Sequence, residues 1–513
     1  MSIFRKKNTP PPGEQGNNPD PALYAGASRW EKLEQEKKAA RAHIFFFAIA
    51  FAVLFGWMCF YFTSTAIEDK VELFDNDYNH RDELLATRNR RGSIYASDSE
   101  TLLASTQTDL DEEGNVIQIR SYPFGSMYAH VVGYSQLGGS GLEEYFKYEL
   151  LHSDLPLSEK VRYDNNENAE NRLYPGNNLI TTLDPSIQEA CYDAMGNYEG
   201  AVIVTEVKTG RILALVSKPD YDPNYIEEEW EDLLADNESG TLLNRVTQGL
   251  YPPGSTFKII DCIDLLQEDP DAMENYSFNC SGVFEQDGES IHCYEYERHG
   301  EVDLEESFEH SCNSSFANIG VNLISPETMS DTLRTLLFNS KLPYDLPYVR
   351  SSINMPDTLS TEGIMRMAIG QGTTAMTPLH LNMITSAVAN GGVLMKPHLA
   401  DELHDAKGRT LKVYDPEEYG TLMSEEVAEQ VTALMRSVVT EGTANSLSGR
   451  DYEAAGKTGS AEFDNNKSSH AWFTGFAPAS DPEIRITVLI EGKGMGSSYA
   501  VPVAGQIFDA YFE

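Results

Sequence analysis

Within YPPGSTFKII, residues 251–260, Ser255 stands three residues before Lys258. Positions i and i+3 share a face of a helix, so a hydroxyl and an amine at this spacing can meet as nucleophile and base. No other Ser in the chain has a Lys three residues on. The spacing alone is equally that of a helix start with a solvated lysine, and the surroundings shift the balance. The turn Pro252, Pro253, Gly254 puts Ser255 at a helix N-terminus, where free N–H groups and the macrodipole stabilise negative charge on an attacked oxygen. FKIIDCIDLL makes a helix apolar on most sides, and desolvation there lowers the pKa of the Lys258 amine.

A base of this kind benefits from a second cation. Lys457 lies in GKTGSAEF, residues 456–463, a small-residue strand against which a substrate can lie closely. The same tripeptide occurs at Lys208, Thr209, Gly210, where turn chemistry at a hairpin apex accounts for it. A hydroxyl and an amide to relay a proton and hold a substrate are available as Ser-x-Asn at Ser277, Ser311 and Ser352. Ser311 and Asn313, in EESFEHSCNSSFANIG, are the best placed of these. Their surroundings are small and polar, in a helical turn amid the apolar Phe308, Phe316 and Ile319.

These groups must be positioned by a folded protein, and 513 residues at 41% hydrophobic suffice for two or three domains. A net charge of −42 argues against nucleic acid as a partner, since binding phosphates needs clustered Lys and Arg. Residues 1–43 nevertheless carry eight Lys or Arg against five acids. Nineteen uncharged residues come next, Ile44 to Phe62, enough at about 1.5 Å per residue to cross most of a hydrocarbon core of roughly 30 Å. The 43-residue leader and the absence of a clear A-x-A site disfavour a cleaved signal peptide. Basic residues before the span and Glu68, Asp69 and Glu72 after it predict a cytoplasmic N-terminus and an extracytoplasmic remainder.

The chain accordingly divides into a cytoplasmic tail (1–43, disordered to about residue 26), a transmembrane helix (44–62), an extracytoplasmic module (63–177) and a larger domain (178–513). In the last, Asp184 and Pro185 cap a helix, and GAVIVTEVKTGRILALVS reads as a hairpin. Helical patterns cover 255–268, 302–324, 359–369 and 377–390, and β-rich runs close the chain. Terminal strands around a helical middle predict an α/β domain whose ends meet in one antiparallel sheet. Of six cysteines, Cys59 lies in the span, and Cys191, Cys262 and Cys312 read as small core residues. Cys280 and Cys293 suggest a local disulfide or two free thiols; with His292 and His299 nearby their spacing fits no zinc pattern. No metal and no cofactor is expected.

S-x-x-K, S-x-N and K-T-G in this order resemble the signature of penicillin-binding proteins and serine β-lactamases. NRVTQGLYPPGSTFK, SCNSSFANIG, IGQGTTAMTPLHLNMITSAVANGG and GKTGSAEF…HAWFTGFAP look like the transpeptidase domain of class B penicillin-binding proteins, as do TTLDPSIQEA and SKPDYDPN. RRGSIYAS and GGSGLEEYF are similar to that family's non-catalytic pedestal module. The resemblance implies an antiparallel sheet with helices on both faces, a small mixed pedestal, and a D,D-transpeptidase that cross-links peptidoglycan stem peptides and is acylated by β-lactams. It assigns Ser255 as nucleophile, Lys258 as general base and Ser311 as proton relay. Asn313, Lys457, Thr458 and Gly459 would bind substrate, and the backbone N–H groups of Ser255 and Ser460 would form the oxyanion hole. The same likeness implies a bacterial membrane location and a membrane glycan polymerase as partner, because the chain before the catalytic domain is too short for a glycosyltransferase. ASDSE stands where the family usually has an Asp-Arg-Asn-Gly turn, which puts partner contacts of the pedestal in question. A tethered β-lactamase, a β-lactam sensor and a silent scaffold are the competing readings.

Overall fold

The computed structural model describes residues 21–68, 81–111, 113–166, 173–236, 239–462 and 469–513. It falls into two units, residues 1–80 and 81–513. The first is a helix, Pro21–Glu68, whose segment Lys32–Tyr61 is long and apolar enough to cross a membrane and is unburied within the protein. The helix exceeds the expected span of 44–62 because the preceding Lys, Glu, Ala and Arg residues are themselves strong helix formers. Residues 1–20 of the tail lie outside the described residues.

The second unit is built on a five-stranded antiparallel sheet of β1 (Gly200–Glu206), β2 (Ile212–Lys218), β3 (Ala455–Glu462), β4 (Ser469–Ala477) and β5 (Ile484–Ile490), in the order β3-β4-β5-β1-β2. β1 and β2 form the expected hairpin, and the last strands complete the sheet beside them, β5 pairing with β1 from Ile484 opposite Glu206 to Ile490 opposite Gly200. Every residue of β5 is buried. An amphipathic strand would alternate, so both faces of the sheet are covered. The helices Pro185–Met195 and Gly496–Phe512 pack together and on the sheet, and a second pair, Pro378–Ala389 and Glu425–Thr440, does the same. Asp184 caps the first of these as expected, accepting from Ser186 N–H at 2.9 Å and Ile187 N–H at 3.1 Å. Arg485 of β5, fully buried, donates to Asn382 Oδ1 at 2.9 Å and to the Ser386 hydroxyl.

A second, six-stranded sheet joins strands 410–413, 400–404, 178–181, 94–95, 102–110 and 116–121 in that order. The expected boundary at residue 177 therefore falls between two hydrogen-bonded neighbours, Ile94 pairing with Leu179 and Tyr95 with Ile180. Beside this sheet Glu143 is wholly buried and takes Arg91 Nε and Arg120 Nε at 2.6 Å each. Burial pushes the Glu143 carboxyl up, but the two guanidiniums outweigh it and hold the group below its ordinary range.

Candidate active site

The expected helix at 255–268 begins as a 3-10 turn, Gly254–Phe257, that runs directly into the α-helix Lys258–Glu268. Ser255 is half-buried in that turn while Gly254, Thr256, Phe257 and Lys258 around it are buried. Gly254 has φ 55°, a conformation glycine adopts without cost. A Cβ on it would come within 2.8 Å of Ser460 O, and one on Gly459 within 2.9 Å of Pro253 O. The small residues of β3 thus let the strand lie directly against the serine turn, and Trp472 Nε1 of β4 ties the turn down through Pro252 O at 3.1 Å.

Residues 302–324 form two helices, Leu304–Glu309 and Asn313–Asn322, where one was expected. A capping box of Asp303 and Glu306 starts the first. Its end is a Schellman turn: Cys312 N–H reaches Ser307 O at 2.9 Å, Ser311 N–H reaches Phe308 O at 3.1 Å, and Ser311 takes φ 56°. A left-handed L-residue costs about 1–2 kcal/mol. The break is what turns Ser311 and Asn313 toward Lys258. The lysine Nζ donates to Ser311 O at 2.7 Å, Ser311 Oγ at 3.2 Å and Asn313 Oδ1 at 2.8 Å, using all three of its donors.

Lys258 and Lys457 are both fully buried. Burial pushes the Lys258 amine down to about 8, against the smaller opposing influence of Cys312, Cys293, Asp261 and Cys262. Burial pushes Lys457 well below its ordinary value too, and the charge of Lys258 lowers it further. The pair therefore holds one proton more readily than two. Two aromatic faces soften the burial: Lys258 Nζ lies 5.1 Å from the Phe316 centroid and Lys457 Nζ 5.3 Å from that of Phe308.

On β3, which is the edge of its sheet, Lys457 Nζ donates to Thr458 O at 3.2 Å, and Thr458 shares a 2.6 Å hydrogen bond with the Thr443 hydroxyl. Ser460, exposed, accepts Gly496 N–H at 3.3 Å on its hydroxyl. Lys208 of the other K-T-G copy is exposed and pairs with Asp481 at 2.5 Å, as a surface turn residue does. Thr443 and Trp472 were not singled out from sequence. Neither sits in a spacing that marks it, and only the folded contact of Thr443 with Thr458, and of Trp472 with Pro252, reveals them.

The family pattern described as "Penicillin binding protein transpeptidase domain" matches residues 200–512. The chain is 31% identical over 445 residues to the peptidoglycan D,D-transpeptidase PbpA of Mycolicibacterium smegmatis, covering 81% of this chain and 87% of that protein. Among solved structures it is similar to penicillin-binding protein A of M. tuberculosis as a penicillin G acyl-enzyme complex, with a TM-score of 0.73, 28% identity, and coverage of 83% of this chain and 100% of that one. A D,D-transpeptidase domain from Eggerthella lenta superposes with a TM-score of 0.73 at 28% identity, over 83% of this chain and 98% of that one.

Proposed function

This chain belongs to the penicillin-binding transpeptidase family, in its class B branch, and from that premise we propose that it cross-links peptidoglycan through an acyl-enzyme on Ser255. Ser255 Oγ attacks the carbonyl carbon of the penultimate D-Ala of a stem peptide as its proton passes to a neutral Lys258 Nζ. The backbone N–H groups of Ser255 and Ser460 receive the oxyanion. The C–N bond then breaks, the leaving D-Ala amine takes a proton relayed through Ser311 Oγ, and an ester remains. The amine of a second stem peptide attacks that ester and restores the serine. Asn313 and the β3 edge, with Thr458 and Gly459, hold the donor peptide extended, while Lys457 supplies positive potential for its terminal carboxylate. The single observation that carries this reading is the three-way contact of Lys258 Nζ with Ser311 and Asn313, from segments 53 and 55 residues away.

The apolar N-terminal helix serves as a single-pass anchor, with the tail in the cytoplasm, residues 63–177 as pedestal and residues 178–513 as the transpeptidase on the far side. A membrane glycan polymerase supplies the strands to be linked. Incubation of the purified full-length protein with a labelled penicillin tests the chemistry: a long-lived adduct mapped to Ser255 and abolished by Ser255→Ala is expected. Rapid turnover of the label would identify a β-lactamase, and absence of label from the folded protein a scaffold; either overturns the proposal.

A further inference from the structure

Three of the six cysteines and one histidine converge beside the catalytic turn. Cys280 ends the strand Phe278–Cys280, Cys293 comes directly after the hairpin Val283–Gln286/Glu289–His292, and His299 precedes the strand Gly300–Val302. Cys312, the middle residue of Ser311-Cys312-Asn313, comes from outside this β-insertion and caps the helix Asn313–Asn322. All three cysteines are at most 2% exposed, and the His299 side chain is 9% exposed. Cys280 Sγ is 3.7 Å from Cys293 Sγ and 3.4 Å from His299 Nδ1, and Cys293 Sγ is 3.7 Å from Cys312 Sγ. The four donor atoms all lie within 4.8 Å of one another.

From this geometry we propose that Cys280, Cys293, His299 and Cys312 bind a zinc ion that fastens the β-insertion to the catalytic turn. A tetrahedron with Zn–S of about 2.3 Å has S–S edges of about 3.8 Å, close to both sulfur pairs. A disulfide needs about 2.05 Å and would still leave one of the three buried thiols unpaired. Three thiolates and an imidazole are a soft, tetrahedral donor set, which selects zinc over the hard divalent cations. The surrounding donors suit thiolate ligands: Gly282 N–H points at Cys280 Sγ at 3.4 Å, Ser315 N–H at Cys312 Sγ at 3.4 Å, and Ser314 Oγ lies 3.3 Å from Cys293 Sγ. The Glu297 carboxylate lies 3.8 Å from the outer nitrogen of His299, beyond direct hydrogen-bond distance. On binding, the three thiols release their protons to solvent and no redox change occurs.

The spacing C-x12-C-x5-H-x12-C fits no zinc pattern because the fourth ligand belongs to another element, and Cys312, read from sequence as a small core residue, is that ligand. His292 stays outside the set, its ring against Cys293 O at 3.0 Å. The insertion also touches the catalytic turn directly, Asn313 Nδ2 donating to His292 O at 3.2 Å. A metal on Cys312 fixes the backbone between Ser311, strained at φ 56°, and Asn313. This second half of the inference rests on the roles given above to those two residues.

The test is zinc content of the full-length protein in detergent, measured by mass spectrometry of the metal. About one zinc per chain is expected, lost in Cys280→Ser and kept in Cys191→Ala, whose sulfur lies in the main core. Cobalt(II) in place of zinc is expected to give thiolate-to-metal charge-transfer and tetrahedral d–d bands. Should Cys280→Ser not fold, the wild-type metal count and cobalt spectrum decide alone. Metal-free wild-type protein with six free thiols and no cobalt spectrum, or with a disulfide among these cysteines, overturns the site. Chelation is expected to slow penicillin acylation at least tenfold, with recovery on adding zinc. An unchanged rate in verified apo protein overturns the positioning role, and protein that never reacts with penicillin refutes the transpeptidase reading while leaving the metal count intact.

Discussion

In the proposed mechanism a neutral Lys258 takes the Ser255 proton, so the rate of acylation should follow the protonation of Lys258. An ordinary lysine at 10.5 is neutral in about one molecule in three thousand at pH 7, whereas burial brings Lys258 to about 8 and makes about one in ten neutral, roughly a 300-fold gain in available base. Groups facing the amine come from every side: Ser311, Cys312 and Asn313 from the turn, Cys293 from the insertion, Asp261 and Cys262 from its own helix, and Lys457 from β3. Burial drives the Asp261 carboxyl well above its usual range, and the charge of Lys258 opposes that shift. The second-order rate of acylation by a labelled penicillin, measured from pH 6 to 10, is therefore expected to rise about tenfold per pH unit below about 8 and to level above it. Lys258→Arg, always charged, is expected to lose at least a thousandfold at every pH. A profile flat from pH 6 to 9, an inflection near that of a free lysine, or substantial acylation of the arginine variant would refute the assignment of Lys258 as base.

Glu143→Gln leaves two guanidiniums facing a neutral amide in the buried cluster and is expected to lower stability by about 3–5 kcal/mol, read as a fall in Tm. Because the Glu143 carboxyl is held below its ordinary value, its contribution is present above the unfolded-state pKa and is lost as pH falls; the Tm gap between wild type and variant should narrow in acid. Gly254→Ala, at φ 55° and pressed against Ser460 O, should cost about 1–2 kcal/mol for its left-handed backbone alone and slow acylation by displacing β3. Asn313→Ala is expected to slow acylation more than tenfold, about the loss of one charge-assisted hydrogen bond, with the circular dichroism spectrum unchanged. Lys208→Ala, removing an exposed pair worth at most about 1 kcal/mol, should leave acylation within error of wild type.

Much of the site was legible because its chemistry is local. Ser255 and Lys258 lie within one turn, the flanking Pro-Pro-Gly announces where that turn starts, and the two K-T-G copies are told apart by the residue after each glycine, Arg211 in one and Ser460 in the other. The break that presents Ser311 was not legible. His310, Ser311 and Cys312 include neither Gly nor Pro, and propensity gives no stop there, so the helix reads through until tertiary contacts with Lys258 impose a left-handed serine. Cys312 is buried, as its apolar neighbours suggest, but the approach of Cys280, Cys293 and His299 to it was not legible: burial looks alike whether a thiol packs or ligates, and these companions lie up to 32 positions away. The hydrogen bonds that cross residue 177 were not legible either, because strand pairing across a sheet is non-local. Nothing in NLIT says that its parallel neighbour is Ile94–Tyr95.

That last pairing gives the enzyme a mechanical character. Strands 94–121 are laced by backbone hydrogen bonds to 178–181, and these in turn to 400–413. Residues 94–121 and strands 178–181 and 400–413 thus share one hydrogen-bonded sheet, so that a displacement of the first is passed to the rest through backbone hydrogen bonds. Cutting the chain at 178 would remove three of the six strands and bare the edge of the fourth, so residues 94–121 belong to one frame with the sheet that follows them, and strain in the first is passed on instead of being lost as swivel.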